Sequence, residues 1–332
     1  MLIVENYGLA IMLCVVTMLC WGSWANTTKL TSKEWRFELL YWDYGIGILI
    51  TTILLAFTIG SNGAEGRSFL NDLHQAETGN LESAVIGGIV FNLANILLVA
   101  AIGIAGMSVA FPVGIGIALV LGVVINYVAN PQGNPMLIFA GVALIVIAII
   151  LNARAYQKLQ SNSASKVSQK GLILAIVSGA LMGLFYKYVA DSMVHSFNTP
   201  EAGKLTPYTA LVFFAIGVVA SSFVFNSLQM WRPFAGEPIK ISTYFSGKLK
   251  DHLVGILGGA IWCVGMSLNI IASGKAGPAV SYGLGQGATV VAAIWGIYVW
   301  KEFDQAPKGT KPILNLMLLL YIVGLSLIII SK

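Results

Sequence analysis

The stretch from Gly87 to Val128 recurs later in the chain, without a gap, as Gly258 to Val299. In that register Gly87-Gly88 falls on Gly258-Gly259, Gly103 and Gly106 on Gly274 and Gly277, Gly114 and Gly116 on Gly285 and Gly287, and Tyr127-Val128 on Tyr298-Val299. About a third of the paired positions are identical, enough to mark an internal repeat. Each copy is two long apolar runs joined by a very short turn, and glycine, the residue that lets helix backbones approach closely inside a membrane, is the commonest match, in six of the thirteen identical pairs. Shared aliphatic residues would be coincidence in so apolar a chain; glycines in fixed register are not.

With 57% hydrophobic and 10% charged residues and a mean hydropathy of +0.82, the chain is an integral membrane protein, and soluble folds are excluded. The pI near 9.0 does not point to nucleic acid, because the Lys and Arg residues sit in short loops between apolar runs, as orientation in a bilayer requires. Cys14, Cys20 and Cys263 lie within apolar runs and give neither a disulfide framework nor a metal spacing. No cofactor, metal or catalytic set is expected. The start of the chain carries Glu5 and no basic segment, so the first apolar run reads as a span rather than a cleaved signal.

Apolar runs of about 20 residues, enough to cross about 30 Å of hydrocarbon, begin near Tyr7, Leu39, Ser83, Gly106, Pro135, Lys170, Pro207, His252, Gly277 and Pro312. The basic, Ser- and Gln-rich segment 154–169 reads as a linker between a first repeat, 1–153, and a second, 170–332. An odd number of spans per half places homologous halves in opposite orientations. The expected fold is therefore an all-α membrane protein of ten transmembrane helices in two inverted five-helix repeats, the construction of secondary transporters, with the solute site near the midplane between halves. Lys29, Lys33, Arg36, Arg154, Lys158, Lys170, Arg232, Lys240, Lys248, Lys250, Lys301, Lys308 and Lys311 all fall on one side, whereas Glu65, Asp72, Glu77 and Glu82 occupy a loop on the other. The positive-inside rule puts the basic loops in the cytoplasm and both termini outside. A bacterial inner membrane is the expected location, the lipid bilayer the one obligatory partner, and a monomer the simplest assembly.

Several motifs resemble the ureide permease family: Cys20-Trp-Gly-Ser-Trp-Ala-Asn-Thr-Thr-Lys-Leu30, Trp42-Asp43-Tyr44, Gly87-Gly88-Ile-Val-Phe-Asn-Leu-Ala-Asn95, Gly106-Met-Ser-Val-Ala110 and Asn126-Tyr127. The similarity is clearest over about the first 155 residues. It implies membership of the drug/metabolite transporter superfamily, beside the bacterial glucose, ribose and rhamnose uptake proteins, and a ten-helix, proton-coupled carrier of allantoin, uracil, xanthine or similar flat polar amides. Plant members carry a long central loop, often with a nucleotide-binding-like motif; the short linker here has no phosphate-binding loop, so no nucleotide dependence is expected.

Polar groups in hydrocarbon must be partnered, which makes them candidates for solute binding. Asn92 and Asn95, three apart, share a face of the third span and suit a neutral amide, imide or polyol; helix-to-helix bonding is the alternative. The repeat sets Cys263 and Met266 at their positions, with Asn269 one step further on. Trp21, Trp24 and Asn26 close the first span, where Trp is either an interfacial anchor or a stacking surface for a planar heterocycle. Aligning Gly22 with Gly183 brings in Tyr186 and Lys187; Lys187 either serves the solute or the proton, or snorkels outward with Asp191 as its partner. In the ninth span Tyr282 and Gln286 are four apart among Gly283, Gly285 and Gly287, opposite an apolar fourth span with Phe111, Ile115 and a kinking Pro112. Asp43, a turn inside the second span, is the candidate proton carrier, or else a cap or a partner of Arg36.

The function these features favour is proton-coupled import of a small neutral polar solute, a nucleobase or ureide, by alternating access. Sugar uptake is the alternative, since amides and aromatics suit it as well. An intramembrane enzyme is remote, because His74, His195 and His252 fall in or beside loops rather than clustering in the membrane.

Overall fold

The computed structural model describes the chain except residues 64, 106, 160–167 and 235. It is all helical, with ten spans: α1 Tyr7–Leu30, α2 Phe37–Phe57, α3 Thr78–Ala105, α4 Pro112–Ala129, α5 Pro135–Leu159, α6 Gln169–Ser192, α7 Pro207–Trp231, α8 Leu249–Ala276, α9 Pro278–Val299 and α10 Thr310–Ile329. Short helices Phe69–Gln75 and Ile241–Phe245 lie in loops. Of the expected linker, residues up to Leu159 prolong α5; 160–167 lie outside the described residues, as do Gly106 and the side chain of Phe111.

The closest pairings are α3 with α6, α1 with α8, α4 with α6, α1 with α9, α2 with α8, α3 with α7, and α5 with α10. Exchanging the first five helices for the last five returns the same set. Glycines explain how the backbones come so near. A Cβ on Gly88 would run into the Phe214 carbonyl and Val218 N, and one on Gly259 into the Tyr44 carbonyl and Ile48 N. Gly217 meets the Val85 backbone as Gly47 meets that of Ile256. Where α5 crosses α10, Gly141 and Gly324 each abut the other's carbonyl.

Two helices depart from regularity. α1 tightens to a 3-10 helix from Trp24 to Leu30. α9 runs as Pro278–Gly285, turns at Gln286-Gly287, resumes as Ala288–Ile294 and ends in a π turn, Trp295–Val299. Helical structure continues through Pro112, so the interruption falls in α9 rather than α4. Pro112 stands near the helix start, where little of the hydrogen-bond ladder precedes it, whereas α9 has three glycines in alternation. Both chain ends lie on one face, where the Tyr7 hydroxyl donates to the Ile329 carbonyl over 2.6 Å.

Gly88→Ala and Gly259→Ala should each cost about 1–3 kcal/mol, as overpacking does. Gly103→Ala, where an added Cβ meets nothing within 4 Å, should be neutral or slightly stabilising. Thermal unfolding in detergent measures the difference, and equal melting of all three would refute the role of the crossings.

Candidate functional site

A cavity of about 420 Å³ enters the bundle from the face that carries the end of α1 and the α9–α10 loop. Its deep end is aromatic. Trp262 of α8 lies against Phe91 of α3, ring centres 4.4 Å apart, and faces Trp21 of α1 at 5.9 Å with planes 12° apart. Phe91 and Trp262 occupy equivalent positions in the repeat, so the halves meet ring on ring. Trp21 Nε1 donates to the Trp262 carbonyl at 3.2 Å, which fixes that slab. Trp24 lines the same wall, backed by Tyr44 at 4.8 Å.

Asn95, Gln286 and Asn152 bring amides to the lining. Asn95 is oriented by a chain of donors: its Nδ2 donates to Tyr41 OH at 3.1 Å, Tyr41 OH to Asn92 Oδ1 at 2.8 Å, and Asn92 Nδ2 to Ser221 Oγ at 2.8 Å and Ser222 Oγ at 3.2 Å. Tyr41 has a single proton and gives it to Asn92, so it can only accept from Asn95. Asn95 Oδ1 therefore takes no part in this chain of bonds and is left as an acceptor in a residue that lines the cavity. Asn152 Oδ1 is buried and has no partner among the described residues. Gln286 sits where α9 is interrupted, as transporter sites commonly do.

The sequence candidates thus divide. Trp21, Trp24, Asn26, Asn95 and Gln286 line the cavity. Asn92 shares Tyr41 with Asn95, yet all its bonds run away from the cavity to α2 and α7. Asn269 lies behind Trp21, its Nδ2 donating to the Ser281 carbonyl at 2.7 Å. Tyr186 and Tyr282 are fully buried beyond the aromatic floor: Tyr186 OH is 3.1 Å from Ser281 Oγ, and Tyr282 OH reaches the carbonyls of Ala118 and Met182. Their rings pack edge to face, 5.2 Å apart. Lys187 is exposed and paired with Asp191, the snorkelling arrangement. Asp43 is buried off the cavity. Its carboxylate accepts from Tyr244 OH at 2.7 Å and lies 3.0 Å from His252 Nδ1, while Arg36 pairs with Glu38 instead. Tyr244 stands outside the spans; burial first, then its bond to Asp43, holds the phenol well above its ordinary pKa, so it stays a donor.

Sequence reasoning passed over Phe91, Trp262, Asn152, Tyr244 and His252. The aromatic-for-aromatic match of Phe91 with Trp262 was the one available signal; the Asp43 partners lie some 200 residues away and share no pattern with it.

An all-helical, ten-span bundle with an aromatic, amide-edged cavity reaching its centre from one face has the architecture of a multi-pass membrane transporter. The ureide permease family model matches residues 40–170 and 155–331, and the chain belongs to that family. Ureide permease 1 of Arabidopsis thaliana is 24% identical over all of this chain and 99% of its own length, and Ureide permease 2 is 23% identical over the same shares. A "Probable ureide permease A3" from Vigna unguiculata is 28% identical over 49% of the chain and 44% of that protein. A crystal structure at 14% identity superposes over 96% of this chain and 95% of its own with a TM-score of 0.59, a likeness of fold alone.

Asn95→Ala should weaken solute binding about tenfold, the cost of one lost amide partner. Asn92→Ala should instead lower thermal stability and leave affinity nearly unchanged, since it takes the acceptor from the Tyr41 hydroxyl while Ser221 and Ser222 keep their bonds to the Gly217 and Val218 carbonyls. Equilibrium binding and melting of both variants separate the roles; equal loss of affinity in both would place Asn92 at the solute too.

Proposed function

We propose that the protein is a secondary carrier that imports a flat, neutral ureide or nucleobase together with a proton. The observation that carries this reading is the pairing of an aromatic slab, Trp21 and Trp262, with the acceptor oxygen of Asn95 in the lining of the same cavity. A planar heterocycle stacks on the slab while its ring N–H meets the amide, and the relatives' names point to the same solute class. Two five-helix halves of opposite orientation, rocking about this site, deliver the solute by alternating access. With the basic loops in the cytoplasm and the termini outside, the cavity faces inward and Tyr186 and Tyr282 close the outer side.

Coupling we place at Asp43. Its carboxylate joins α2 to α8 through His252, and α8 also carries Trp262, so protonation there alters the crossing that supports the slab. Solute and proton then occupy different places and communicate through helix packing.

A thermal-shift series of purified protein with allantoin, uracil, xanthine, glucose and rhamnose tests the solute class, because a ligand bound to the folded state raises its apparent stability. The first three should stabilise; stabilisation by the sugars alone would overturn the reading. For coupling, Asp43→Asn in proteoliposomes should retain solute exchange and lose accumulation driven by a pH gradient. Normal accumulation would remove Asp43 from that role, and the same uncoupling by Lys187→Gln would move the proton to Lys187.

A further inference from the structure

Among the described residues that line the cavity, two carry full charge, Lys29 and Glu302, and they sit together at its mouth. Lys29 Nζ lies 3.5 Å from Glu302 Oε1 and 4.0 Å above the ring of Trp300. Tyr156 OH, from α5, donates to the second oxygen of Glu302 at 2.7 Å. Trp300 Nε1 donates to Asn26 Oδ1 at 2.7 Å, which holds the segment after α9 against the end of α1.

The chain takes an unusual path to put the carboxylate there. α9 ends in a π turn, a form uncommon outside functional sites. Lys301 then adopts φ 53°, the one non-glycine in the left-handed region among the described residues. Gly296 leaves room for the carboxylate: a Cβ there would stand 2.9 Å from Glu302 Oε2. A π turn, a left-handed lysine and a glycine thus converge on one side chain, at the end of the helix that also supplies Gln286.

We propose that Lys29 and Glu302 are a matched pair that keeps the mouth of the cavity electrically neutral, so that neither anions nor cations are drawn in ahead of neutral solutes. This rests on the carrier reading for its biological meaning, but the charge balance is a property of the cavity and is measurable without a transported solute. Either charge alone would bias the mouth toward the opposite sign; paired, they cancel for a solute passing beside them. With side-chain exposures of 43% and 34% the pair is partly screened by water, so removing one member shifts selectivity moderately and more at low salt than at high.

Tryptophan quenching tests it. Trp21, Trp24, Trp262, Trp295 and Trp300 line the cavity, five of the eight tryptophans in the chain. Iodide, caesium and acrylamide are an anionic, a cationic and a neutral quencher. Relative to wild type, Glu302→Gln should raise the ratio of iodide to caesium quenching, Lys29→Gln should lower it, and the double variant should return it toward wild type, with acrylamide quenching constant throughout. Glu302→Asp, which keeps the charge, should leave the ratio in place. A parallel binding measurement compares uracil with orotate, the same ring bearing a carboxylate; Glu302→Gln should improve orotate relative to uracil about tenfold. Should Glu302→Gln fold poorly, Lys29→Gln still gives the opposite sign. An iodide-to-caesium ratio identical in all variants overturns the proposal. Failure of wild type to bind uracil with the ratio still moving overturns the solute class and leaves the charge balance standing.

Discussion

The bundle depends on backbone-to-backbone contact at a few glycine crossings. Hydrocarbon supplies no hydrophobic force to press one helix on another, so spans hold together by packing, and packing is best where no side chain intervenes. At Gly88 against Phe214 and Gly259 against Tyr44 the space for a Cβ is taken by a carbonyl. These crossings set α3 on α7 and α2 on α8, and so bring the rings of Phe91 and Trp262 together at the deep end of the cavity. The cavity floor follows from the glycines.

That is also why so much of the fold was legible in the sequence. Each span is a continuous apolar run with a length set by the bilayer, and the starts of the ten fall within six residues of where hydropathy places them. The glycine register was visible because contacts between backbones tolerate no substitution, whereas the apolar residues around them are interchangeable. The interruption of α9 was less legible. Gly283, Gly285 and Gly287 are as consistent with close packing as with a break, and only tertiary contacts decide which.

The site was half legible, for a reason that Asn92 and Asn95 make plain. Spacing placed both on one face, and both do meet Tyr41. Spacing says nothing about which way a hydrogen-bond chain runs. Because Tyr41 gives its proton to Asn92, that residue is spent on α7, while the Asn95 oxygen is left as an acceptor. Lys187 shows the converse: from sequence it is a charge within an apolar run, but its stem is long enough to carry the ammonium to an exposed partner, Asp191. Asp43 and His252 were separately visible as polar residues near span ends, and nothing local joined them.

The halves differ at the polar positions that line or adjoin the cavity. Phe91 and Trp262 keep aromatic character, and the crossing glycines keep their register. Asn92 and Asn95, however, face Cys263 and Met266 in the repeat, and Gln286 faces Ile115. A bundle of two equivalent halves would present the same polar groups twice about its axis, which suits a symmetric ligand. A small heterocycle has one edge of donors and acceptors and needs them once. Retaining glycines while releasing polar positions keeps equivalent crossings in both halves and still gives the cavity one amide wall in α3 and another where α9 unwinds. The same division accounts for the mouth. Lys29 belongs to the first half and Glu302 to the second, and the charges meet where both helix ends depart from regular geometry, α1 by tightening and α9 by widening.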